Sequence, residues 1–115
     1  MRASASSLLA MLLLTACSTS EKREHASIMN EVEAKVRLPS GAGPLNRYSR
    51  YYTYGPTGNV IGTYVGGHLP PEETERKWVK DYRNLPMITD GECGVVHLEV
   101  NTKSRKIEVG CNGVA

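Results

Sequence analysis

The chain opens with an unbroken apolar run, Leu8 to Leu14, and turns polar at once after Cys17 with Ser18-Thr19-Ser20-Glu21-Lys22-Arg23. Farther on, Ile28, Val32 and Val36 recur four residues apart with Met29 beside them, while Glu24, Glu31, Glu33 and Lys35 fall mostly elsewhere. That spacing predicts an amphipathic helix over His25 to Val36, stopped by Pro39 and the Gly41-Ala42-Gly43-Pro44 stretch. A helix lying on a membrane surface is the other use of such a stripe. Its polar face, however, is acidic rather than basic, which favours packing on a sheet.

Strand patterns follow. Tyr48-Ser49-Arg50-Tyr51-Tyr52-Thr53-Tyr54 and Val60-Ile61-Gly62-Thr63-Tyr64-Val65 are rich in strand formers, and Gly55-Pro56-Thr57-Gly58-Asn59 lies between them. Proline second and glycine fourth suit a type I turn closed by a left-handed glycine, so the two segments are expected to form a hairpin. Gly66 to Pro71 reads as a loop. Pro71-Glu72-Glu73-Thr74-Glu75-Arg76-Lys77-Trp78 has proline and glutamates early and cations late, the order of a short helix, yet Lys77 to Tyr82 suits an extended segment equally well. In the last stretch Val96, Leu98 and Val100 alternate with Val95, His97 and Glu99, and alternation resumes at Ile107, Val109 and Cys111. This predicts a second hairpin with its turn near Lys103 or Ser104. The expected architecture is α+β: an N-terminal amphipathic helix packed on an antiparallel sheet of about four strands, as one small domain over residues 27–115.

Met1-Arg2 ahead of the short apolar run has the grammar of an export signal. The run is too short to span a membrane, which takes roughly 20 apolar residues. It ends in Leu14-Thr15-Ala16-Cys17, and these four residues resemble the lipobox of bacterial lipoproteins at every position. The resemblance covers this N-terminal segment alone. It implies removal of residues 1–16, a diacylglycerol thioether on the Cys17 sulfur and, in many members, a further acyl chain (palmitate or similar) on the new amino group. Several chains at ~0.8 kcal/mol per buried CH₂ give stable attachment where one would be marginal. Residues 17–26 are then a lipidated tether. The resemblance also implies an extracytoplasmic location, with Ser18 after the anchor cysteine suiting the periplasmic side of the outer membrane in a Gram-negative cell.

An oxidising compartment bears on the other cysteines. Cys93 and Cys111 are left as an even pair, which favours a disulfide; the second hairpin puts them near opposite or diagonal positions at its open end. A loop of that length is worth ~3 kcal/mol of stability in the chain-entropy model. The rival use of these cysteines is a metal site with His97, but no C-x-x-C spacing and no second convincing ligand accompany them, so neither metal nor cofactor is expected.

Charge narrows the partners. The chain carries 14 Lys and Arg against 12 Asp and Glu, and loss of Arg2 with the signal brings it nearer neutrality, which argues against a nucleic-acid partner. Candidate catalytic groups are scattered. His25, His68 and His97 fall in three different predicted elements; Asp81, Asp90 and Glu92 are the carboxylates for acid–base work, whose separation the sequence does not set, while Asp90-Gly91 reads as turn chemistry and Asp81 follows a solvated charged run. There is no Gly-x-Ser-x-Gly, and a paired Cys93 is no nucleophile.

The aromatic residues are more suggestive. Among six tyrosines, in a chain without phenylalanine, five lie between Tyr48 and Tyr64 near Arg47 and Arg50. Tyrosine and arginine suit interfaces and sugar surfaces, which makes Arg47, Tyr48, Arg50, Tyr51 and Tyr52 a candidate binding face. Strand alternation sends Tyr48, Tyr52 and Tyr54 to one side and Tyr51 to the other, so some of them are expected to fill the core in place of phenylalanine. The functional expectation is a membrane-anchored, non-enzymatic module that binds an envelope protein or a cell-wall polymer. An inhibitor of a cell-wall hydrolase is a narrower form of it, by analogy alone. A small wall-active hydrolase using Asp81, Asp90 or His68 is the rival from another class.

Overall fold

The computed structural model describes residues 2–88 and 91–111, with side chains from Thr19 onward. The chain divides into two compact units, 1–31 and 32–115. The first unit is helical. Helix α1 runs Arg2–Lys35, longer than the apolar stripe alone predicts, because Glu21, Lys22, Arg23, Glu24 and Ala26 are good helix formers that let the turns before His25 continue. Met29 and Val32 of the stripe are buried. The side chain of Cys17 lies outside the described residues, and no described helix is long and apolar enough to cross a membrane.

The second unit holds the end of α1 and a mixed five-stranded sheet in the order β3-β1-β2-β4-β5. Its strands are β1 (Tyr48–Tyr54), β2 (Val60–Gly66), β3 (Arg76–Trp78), β4 (Val95–Val100) and β5 (Ile107–Cys111). Both predicted hairpins are present, as antiparallel pairs β1–β2 and β4–β5. In the first, the Gly58 N–H donates to the Gly55 carbonyl at 3.0 Å and Gly58 has φ +87°, as the Pro56 and Gly58 placement requires. In the second, Asn101 Oδ1 accepts from the N–H groups of Lys103 at 2.9 Å and Ser104 at 3.0 Å.

The sheet departs from the sequence expectation at β3. Residues 71–82 form only a 3-10 turn at Pro71–Glu73 before the chain extends, and β3 pairs parallel with β1, Arg50 opposite Arg76 and Tyr52 opposite Trp78. The sheet therefore has five strands and one parallel pair, rather than four antiparallel strands. Three residues are too few to show a period of two, and parallel pairing with a distant segment leaves no local signal. From β3 the chain returns past β1 and β2 to place β4 beside β2, joining the two hairpins through Val60 opposite Val100 and Tyr64 opposite Val96.

Register separates two faces. The inner face carries Tyr48, Arg50, Tyr52, Tyr64, Val96, Leu98 and Val100, and it meets the last turn of α1, where Val32 is 3% exposed. The core is thus built on tyrosine. Tyr48, Tyr52 and Tyr64 are all fully buried, with ring centroids 6.2 Å apart for Tyr48 and Tyr64 and 5.7 Å for Tyr52 and Tyr64. Gly62 makes room for this packing, since a Cβ there would stand 3.1 Å from Leu98 Cγ and 3.2 Å from Tyr52 Cδ1. The outer face carries Ser49, Tyr51, Thr53, Ile61, Thr63, Val95, His97 and Glu99.

Candidate binding site

The five residues of the candidate binding face do not share one surface. Tyr48 lies in the core, its hydroxyl accepting from the Gly43 N–H at 3.0 Å and donating to the Cys93 carbonyl. That hydroxyl joins the loop after α1 to the disulfide-bearing turn, which is the polar partner a buried tyrosine needs. Arg47 stands exposed in the 3-10 turn Leu45–Arg47, outside the strand. Tyr51 is half-buried on the outer face and donates to Glu75 Oε1 at 2.6 Å; this hydrogen bond, before its partial burial, raises its pKa.

Arg50 and Tyr52 belong to a buried polar network with a residue the sequence had assigned to the outside of the helix. Glu33 Oε1 meets Arg50 Nη1 at 2.6 Å and Arg76 Nη1 at 3.7 Å, with Glu33 13% and Arg50 17% exposed. Its other oxygen accepts from the Tyr52 hydroxyl at 2.9 Å. A hydroxyl has one proton to give, so Tyr64 must donate to Tyr52 across their 2.5 Å contact. Burial, more than any neighbouring charge, pushes both tyrosine pKa values well above 10.0. The network fixes the helix end on the sheet. Its groups are turned inward, and one of them, Arg50 Nε, is buried without a hydrogen-bond partner.

Other candidates are similarly employed. Asp81 caps the 3-10 turn Tyr82–Asn84, accepting from the Arg83 N–H and Nε at 2.9 Å each and from Nη2 at 3.1 Å. Arg83 holds its carboxyl down at about 2. Glu92 stands exposed at the start of the 3-10 turn Glu92–Gly94 with φ +49°; Asp90 lies outside the described residues. Cys93 and Cys111 form a disulfide, with Cα atoms 4.7 Å apart. His25 is in α1, His68 is exposed in the loop after β2, and His97 is exposed on β4. Among the described residues no group of three or more His, Cys, Asp or Glu is placed to hold a metal ion.

On the outer face Ser49, Thr53, Thr63 and Val95 are buried, and the part that remains open surrounds His97 and Glu99. The crossover from β3 to β4 runs past it and, with the β2, β4 and β5 strands, leaves a groove of about 400 Å³ lined by Ile61, Thr63, Leu85, His97, Glu99 and Glu108 among others. Ile61 and Leu85 give it apolar surface. His97 faces Thr63 across the strands, Nδ1 3.5 Å from Oγ1. Glu99 and Glu108 are direct cross-strand partners, a like-charge pairing that costs stability and is eased on one side by Asn59 Nδ2 donating to Glu99 Oε2 at 2.8 Å. Acidic groups beside an apolar floor suit an extended ligand bearing hydroxyl or ammonium donors. Sequence reasoning treated Glu99 as the polar side of a strand and weighed His97 besides as a metal ligand and a catalytic candidate. Their alternation with Val96 and Leu98 was visible, but the Leu85 wall depends on where the crossover runs.

Compared with protein-family models, with characterised proteins and with solved structures, the chain matches none. Its function must follow from its own residues.

Proposed function

We propose that the chain is an envelope lipoprotein, held by lipid on Cys17 at the extracytoplasmic side of a bacterial membrane, whose sheet domain binds a cell-wall polymer or another envelope protein without chemical turnover. The outer groove carries the binding reading: it is concave, partly apolar, and edged by His97, Glu99 and Glu108, whose side chains are exposed. Leu14-Thr15-Ala16-Cys17 supports the anchor. The Cys93–Cys111 disulfide accords with an oxidising compartment. Asp81, a carboxylate of the hydrolase reading, is engaged by Arg83 as a cap.

Co-sedimentation of the full-length chain in detergent with purified wall polymer, together with crosslinking to envelope proteins, tests this reading. Leu85→Glu and His97→Ala are expected to weaken whichever interaction is found by about tenfold or more, as for contacts central to an interface. Binding to neither material, or binding that both variants leave intact, would overturn the groove assignment. Steady release of soluble fragments from the polymer would replace it with the hydrolase reading.

A further inference from the structure

Across the outer face the strands set side chains in rows. One row runs Ile61, Glu99, Glu108 over β2, β4 and β5, and the next runs Thr63, His97, Gly110. The second row ends without a side chain. Gly110 is exposed, its φ is not positive, and a Cβ built on it would meet nothing within 4 Å. Its backbone therefore does not require glycine, and a glycine inside a strand weakens it. What Gly110 provides is room: a slot in the floor of the groove, opposite His97 and beside Glu108, with Leu85 of the crossover lining the same groove.

Negative charge adjoins that slot. The Asn101 N–H donates to the Lys106 carbonyl at 2.9 Å, a hydrogen-bonded pair. Alternation along the antiparallel ladder gives Glu99 and Glu108 the same status, with Cα atoms about 5.5 Å apart, and two carboxylates at that spacing can straddle one cation. Asn59 occupies Glu99 Oε2 and leaves Oε1. The Glu108 side chain has no hydrogen bond or ion pair among the described residues. Lys106 lines an adjoining polar recess of about 100 Å³ with both glutamates but forms an ion pair with neither. Two carboxylates against one cation leave this end of the groove negative.

We infer that the slot takes a lysine side chain of a partner protein, its apolar stem against Ile61 and Leu85 over Gly110 and its ammonium between Glu99 and Glu108. This rests on the groove reading proposed above and decides between its two kinds of partner. An ammonium is compact and carries three rotatable donors, enough for Glu99 Oε1 and both Glu108 oxygens, while its four-carbon stem lies on apolar surface. Among the described lining residues there is no tyrosine or tryptophan for a sugar face to stack on, which weighs against a wall polymer. Past Leu85 the crossover continues into Met87 and Ile88, 88% and 39% exposed, apolar surface of the kind a protein partner covers.

Amide NMR of the full-length chain in detergent tests it, by titration with a capped leucine-lysine-leucine peptide and with the same peptide acetylated on the lysine nitrogen. The free peptide is expected to shift the amides of Glu99, Glu108 and Gly110 and to bind at least about tenfold more tightly than the acetylated one, which keeps the stem and loses the charge. Its affinity should fall as salt rises, and Glu108→Gln should weaken it about tenfold. Gly110→Ile should abolish the shifts without lowering the urea midpoint, because a β-branched residue suits a strand better than glycine. Equal binding of both peptides at these amides would overturn the lysine assignment and leave the groove reading standing. Two results would overturn it by giving the slot to another occupant: co-sedimentation with wall polymer that Gly110→Ile blocks while neither peptide binds, or a dimer of the chain alone that Gly110→Ile dissolves. Silence of both peptides, with every partner indifferent to Gly110→Ile, would remove the groove reading as well.

Discussion

Glu33 joins the end of α1 to the sheet through Arg50 and Tyr52. Its replacement by alanine would leave the Arg50 guanidinium, only 17% exposed, without its anion, and would take away the Tyr52 acceptor. Breaking a largely buried pair in this way is expected to cost about 3 kcal/mol in urea denaturation, whereas Tyr64→Phe, which removes one hydroxyl from the same network, should cost about 1 kcal/mol. A similar loss for both would mean the carboxylate is not the hub. The tyrosines also fix a pH dependence. Burial raises the folded-state pKa of Tyr52 and Tyr64 above the ordinary 10.0, so the unfolded chain gives up these protons first. Their contribution is therefore complete below about pH 10 and is lost above it, at about 1.4 kcal/mol per pH unit for each buried tyrosine. Urea midpoints measured on both sides of that pH should show the fall, and Tyr64→Phe should reduce its slope.

At the scale of elements, what the sequence revealed and what it hid have separate physical causes. The β1–β2 and β4–β5 hairpins were legible because their signals are local: Pro56 and Gly58 in one turn, alternation of Val96, Leu98 and Val100 in the other. β3 was not, since three residues beside β1 owe their conformation to a partner far away in the chain. The same limit applies to the candidate site. Alternation showed that Tyr48 and Tyr52 share a side, but whether that side faced solvent or core depended on where the end of α1 docks and on Glu33 reaching Arg50. Two changes test the packing of these elements. Gly62→Val would press a side chain into Leu98 and Tyr52 and should lower stability by about 1–3 kcal/mol; a neutral outcome would show that the β2–β4 pairing yields there. Reduction of Cys93–Cys111, which are separated by 18 residues, should cost ~3 kcal/mol in the loop-entropy model, read as a shift of the urea midpoint with and without reductant.

For the molecule as a whole, the sheet unit presents two concave surfaces of opposite character. One is the outer groove with Glu99 and Glu108; the other is the β5 edge with Lys35, Arg37 and Arg105. Such a separation is consistent with a near-neutral total, 14 basic against 12 acidic residues. The proposed binding reading takes its place in the cell from the proposed anchor, which would put the sheet unit within reach of a wall or of neighbouring envelope proteins. The anchor is therefore the central claim. The measurement that tests it most directly is the intact mass of the protein extracted from its native membrane, wild type beside Cys17→Ala, with and without reductant. A mass of residues 17–115 plus acyl chains, two hydrogens short until reduced and absent from the variant, is the predicted result; an unlipidated wild-type mass would contradict it and withdraw the membrane from the function.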